Sequence, residues 1–139
     1  MLKNSSKVVA LRAVLGDNIT VAPRIARRTR EAEPKWQRVK LALLVRLEAR
    51  PGKENELAEF LRQTLSLAQN EPGTSAWFAI HLGKSAFAIF DVFTDEAGRQ
   101  AHLTGALAAA LKQKSRVLLA KPPVFEKIDV LAAKLAQFE

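Results

Sequence analysis

His102 and Asp91 are the residues of this chain best equipped for chemistry. An imidazole changes charge near neutral pH, so a histidine borne on a helix and aimed at a pocket can take or give a proton. Asp91 lies in the apolar run Ala86-Phe87-Ala88-Ile89-Phe90-Asp91-Val92-Phe93, where an acid must find a partner if it is buried. It can orient His102, bind a ligand hydroxyl, or form an ion pair with Arg99 or another base. His102 in turn also fits a partly buried histidine that only bonds a neighbour. Trp77, Phe90 and Phe93 supply aromatic surface that could wall a planar substrate, although a lone strand tryptophan also suits a core. His81, the other histidine, falls beside a turn and reads as solvent-exposed.

Other chemistries lack their parts. Two histidines on separate elements with one nearby acid do not make a metal site, and none is expected. With no cysteine there is no disulfide, thiol nucleophile or thiolate ligand, which fits a reducing cytoplasm. There is neither a glycine-rich phosphate loop nor the sequence context of a serine triad. No apolar run approaches the roughly 18 residues that span a bilayer.

The elements that must position these groups follow from periodicity. Lys40 to Ala49 alternates Leu41, Leu43, Val45 and Leu47 with other residues, which predicts a strand, and Pro51-Gly52 turns the chain. Lys53 to Asn70 repeats apolar residues at Leu57, Phe60, Leu61, Leu65 and Ala68, the spacing of one helix face. Glu71-Pro72-Gly73 ends that helix, and Thr74 to Leu82 is a second strand. Gly83-Lys84 suits a two-residue type II′ turn into the third strand. That turn would oppose Trp77 to Phe90, Ala79 to Ala88 and His81 to Ala86, with Phe78, Ile80, Phe87, Ile89 and Asp91 on the other face. Asp95 and Glu96 open a helix that carries His102, Thr104 caps a second segment from Ala106 to Lys114, and a last strand runs from Val124 to Leu131.

Strand, helix, strand, strand, helix, strand is the ferredoxin-like split βαβ arrangement, an α+β fold with an antiparallel sheet. Its central strands are apolar on both faces, so helices should cover one side and a second copy of the chain the other.

Charge divides the chain as periodicity does. Of the net charge of +8, most falls before residue 41: ten basic side chains there face three acidic ones, against twelve and eleven afterwards. Residues 1–36 therefore read as a basic extension, 37–132 as one domain and 133–139 as a tail. The cluster Arg24-Ile25-Ala26-Arg27-Arg28-Thr29-Arg30 could touch nucleic acid or an anionic surface, or simply be solvated. Arg12 interrupts the only apolar stretch near the start, which disfavours a secretory signal.

Three markers in this order carry a family resemblance: Arg50-Pro51-Gly52-Lys53 after the first strand, Glu71-Pro72-Gly73-Thr74 after the first helix, and Asp91-x-Phe93-x8-His102. Over residues 38–130 the chain resembles the antibiotic biosynthesis monooxygenase family, quinol monooxygenases among them. The family commonly has glutamate and tryptophan at the places of Asp91 and Phe93. The resemblance implies a homodimeric α+β barrel that oxidises a small aromatic or quinol-like substrate with dioxygen and no cofactor. His102 and Asp91 would then be catalytic, with Trp77, Phe90 and Phe93 binding substrate. The alternative is a non-catalytic small-molecule-binding or stress-response dimer of the same fold.

Overall fold

The alternation beginning at Leu41 places one side of an extended segment wholly in apolar company, and this segment becomes the inner strand β1, Leu41–Glu48. The structure, a computed structural model, describes residues 39–136, so the expected basic extension and the last three residues of the tail lie outside it. After β1 the chain turns at Gly52, whose φ of 85° lies where a side chain would be strained. It then forms α1, Glu54–Gln63, and α2, Leu65–Gln69. Strands β2, Thr74–His81, and β3, Ala86–Phe93, form a hairpin. Helices α3, Glu96–Leu103, and α4, Ala106–Leu118, lead to β4, Val124–Asp129.

The sheet order is β2-β3-β1-β4, antiparallel throughout, which is the ferredoxin-like α+β topology. Leu43, Val45 and Leu47 of β1 and Phe87, Ile89 and Phe93 of β3 pack with Leu57, Leu61 and Leu111 of the helices into one core. Burying each such large side chain is worth roughly 1.5–3 kcal/mol.

Two helical expectations are revised. The single helix expected from Lys53 to Asn70 breaks at Thr64, whose buried hydroxyl donates to the Leu61 carbonyl at 2.7 Å and competes with the regular ladder. The helix after Gly105 runs four residues past Lys114. Its end is held by Arg50, which donates from Nε to Leu119 O at 2.9 Å and from a terminal nitrogen to Arg116 O at 2.8 Å. Gly105, rather than Thr104, caps that helix, and the Thr104 hydroxyl bonds back to Gln100 O.

The hairpin register also differs by one residue from the expected one. Both Leu82 N and Gly83 N donate to Ala86 O, so the loop is Gly83-Lys84-Ser85, three residues instead of two. Trp77 therefore opposes Asp91, Ala79 opposes Ile89, and His81 opposes Phe87. Because side chains alternate, this shift carries Trp77, Ala79 and His81 to the helix-covered face. Phe90 goes to the other face, opposite Leu44 and Phe78.

That other face is only partly covered. Val39, Ala42 and Val92 are buried there, with Ala76, Phe90, Ile128, Val130 and Leu135 around them. Phe78 stays 50% exposed, and Ile80 and Val124 are exposed as well. Among the described residues, no helix is long and apolar enough to cross a membrane.

Candidate active site

A buried histidine between two carboxylates forms the chemical centre of the helix-covered face. Asp91 reaches that face from β3, where it opposes Leu43 of β1 and Trp77 of β2. His102 comes from α3, whose start is fixed by Asp95: its carboxylate accepts from Gly98 N at 2.8 Å. Seven residues after that cap, about two helical turns, His102 faces the sheet. The third member, Glu71, stands in the turn between α2 and β2. A backbone contact that only glycine permits puts this turn against α3: a Cβ on Gly73 would lie 2.9 Å from Gly98 Cα, and one on Gly98 would lie 2.7 Å from Gly73 O.

Both ring nitrogens of His102 are engaged. Nδ1 lies 2.6 Å from Glu71 Oε2, which also accepts the Thr74 hydroxyl at 2.8 Å. Nε2 lies 2.6 Å from Asp91 Oδ2, close enough for an ion pair but off the line of a directed hydrogen bond. His102 is 4% exposed and Asp91 fully buried. The Phe93 ring lies against the imidazole, centroids 5.5 Å apart and tilted by 51°. Glu71 Oε1, Trp77 Nε1 and both Asp91 oxygens are buried without a directed hydrogen-bond partner among the described residues, so the centre retains polar capacity.

The electrostatics favour a proton held within the group. Burial, the strongest influence on Asp91, raises its pKa above the ordinary carboxylate value; His102 offsets this in part, and Glu71 adds to the rise. Burial is also the strongest influence on His102 and opposes its charged form. The contacts to Asp91 and Glu71 together outweigh it, and the imidazole titrates above its ordinary value. The two carboxylates thus favour the charged form of His102 over that of a free imidazole. The carboxylates flank opposite edges of the ring and do not converge, and among the described residues no three His, Cys, Asp or Glu side chains are grouped to hold a metal ion.

Of the residues singled out in the sequence, the structure brings together His102, Asp91, Trp77 and Phe93 on one face and removes Phe90 to the other. Arg99 does not pair with Asp91: it contacts Glu96 at 2.5 Å and donates to Ala42 O at 3.2 Å. Glu71 was legible only as a helix breaker, and its carboxylate role required the contact between two distant glycines. The described clefts lie away from this centre. The hairpin end has one of about 660 Å³ beside His81, joined by a chamber of about 120 Å³.

Comparison with known proteins places this architecture. No family model and no curated protein matches the chain. Among solved structures, an antibiotic biosynthesis monooxygenase, so named provisionally, from Nitrosomonas europaea is 15% identical with a TM-score of 0.61 and is matched over 66% of this chain and 99% of its own. A second with the same provisional name, from Caulobacter crescentus, is 16% identical with a TM-score of 0.59, over 70% and 95%. The fold is therefore that of the antibiotic biosynthesis monooxygenases. A Nitrosomonas europaea protein of unknown function is 56% identical, with a TM-score of 0.71 over 73% of this chain and 99% of its own. The chain belongs to one family with that protein.

Proposed function

We propose that the protein is a cofactor-independent monooxygenase of the cytoplasm that acts, as a homodimer, on a small aromatic or quinol-like substrate. The observation that carries this reading is the buried Glu71–His102–Asp91 group, set beside Phe93 and Trp77 in the monooxygenase fold. Because both imidazole nitrogens are occupied, the acceptor of the substrate proton is a carboxylate oxygen of Asp91, whose raised pKa makes it a stronger base than an exposed acid. His102 is the positioning residue and keeps the paired charge balanced. A substrate CH2 flanked by aromatic rings loses a proton to Asp91, and the carbanion passes an electron to dioxygen. Recombination forms a C–O bond, and the relay returns the proton to the peroxide. Loss of the second C–H proton as the O–O bond breaks leaves a carbonyl and water, so the substrate supplies all four electrons.

Homodimer formation is supported by the exposed Phe78, Ile80 and Val124 of the partly covered face. A second reading, binding without chemistry, is favoured by the depth of His102 and by the absence of a described cleft at Asp91. Oxygen uptake with a panel of quinols and anthrones separates the two. The full chain should consume oxygen above the uncatalysed rate while scattering light as a dimer at micromolar concentration. Asp91→Asn should lower turnover by roughly 10²–10⁴ with the melting temperature retained. Binding of a panel member without uptake would leave the non-catalytic reading, and a monomer would remove the assembly.

A further inference from the structure

The geometry points to a second small-molecule site at the hairpin end of the sheet, built to hold a planar aromatic carboxylate. Its platform is His81. The imidazole stacks flat on Phe87, with centroids 4.3 Å apart and planes within 8°. Phe87 is buried to 3% exposure while His81 is exposed, so one face of the imidazole rests on the core and the ring as a whole borders the cleft. A ligand ring laid on His81 would complete a three-layer stack and add an aromatic pair to the surface it buries.

The cleft has the size and the charge for such a guest. Its volume of about 660 Å³ lies within the common range for small-molecule sites, and the chamber of about 120 Å³ adds an apolar recess floored by Leu61 and Ala79. Both spaces share Ala58, Arg62, His81 and Phe87, so they meet at the stacked pair. Arg62 from α1 and Lys84 from the hairpin loop border the larger space, with Glu54 as the acid among its lining residues. Among the described residues, Arg62 is held only by an exposed contact to Glu59 at 3.4 Å, which is weak enough to yield to a ligand carboxylate. The apolar recess suits the ring, and the two cations suit its carboxylate.

The site is distinct from the histidine centre. His81 lies four residues along β2 from Trp77, about 13 Å at the rise of a strand. It does not rest on the proposed oxygenase activity, and a ligand there leaves the Asp91 carboxylate untouched.

Titration of the full chain with 1-naphthoate, followed by NMR of the two histidine rings, tests the assignment. Ring-current shifts of the His81 resonances should saturate, with those of His102 unmoved. Acetate, which lacks the ring, and 1-naphthalenemethanol, which lacks the charge, should each bind at least about threefold more weakly. His81→Ala and Arg62→Gln should each weaken naphthoate by about three- to tenfold in proteins of unchanged melting temperature. Unchanged affinity in His81→Ala, naphthoate shifts at His102 instead, or equal binding of the neutral alcohol would each overturn it.

Discussion

The two histidines stand on the same side of one sheet and have opposite fates. His102 is sealed between Glu71 of the turn before β2 and Asp91 of β3. His81 lies on a buried phenylalanine and keeps the rest of its surface to solvent. The first arrangement favours the charged form of the ring; the second leaves the ring available to whatever arrives. Residue type is thus a poor guide to role, and what decides it here is how many elements close around the side chain.

The sharpest way to break this contrast is to remove each imidazole in turn. His102→Ala leaves two carboxylates buried around a void and should destabilise the fold by about 3–5 kcal/mol in urea denaturation. A near-neutral result would mean that the centre opens easily and that its burial is no measure of its role. Gly98→Ala tests how the centre is assembled: its Cβ would meet Gly73 O at 2.7 Å and should cost about 1–3 kcal/mol as the Glu71 turn is pushed away.

A smaller effect is expected from pH. The folded pKa of His102 is raised, so its contribution to stability is fully present below about 6.5 and is lost as pH rises through the folded value. The raised pKa of Asp91 acts in the same direction, since its stabilisation is also greatest in the protonated form and fades as pH rises. Thermal denaturation from pH 6 upward should therefore show falling stability, and His102→Gln should lose most of that slope. A rise of stability with pH would contradict the raised pKa values of His102 and Asp91. Smallest of all, His81→Ala should move stability by no more than about 0.5 kcal/mol, as for most exposed positions.

The order of elements was legible because each apolar period is strong: alternation at Leu41 to Leu47, helical spacing from Leu57 to Leu61, and a final strand from Val124. The joining of His102 with Asp91 was legible in outline, from an acid on an apolar strand and a histidine on the helix that follows. What could not be read were relations set by geometry over distance. Glu71 comes to His102 from 31 residues away, through a glycine contact that has no local signal. Thr64 broke a helix whose apolar spacing ran straight through it. The faces of Trp77 and Phe90 depended on whether one more residue, Ser85, belonged to the loop.

That loop behaves like an inserted letter that is later corrected. Thr74 still pairs with Phe93, as a two-residue loop would have it, while Ala76 to His81 are displaced by one, with an irregularity between Thr74 and Ala76 absorbing the difference. The displaced stretch is a short frameshift written in three dimensions. Slipping Ala76 to His81 by one residue against β3 would leave Thr74 opposite Phe93 and exchange everything between, sending Trp77 and His81 to the open face and Phe78 and Ile80 inward. A slip of two would keep every side chain on its own side of the sheet, because only even shifts of register preserve the face.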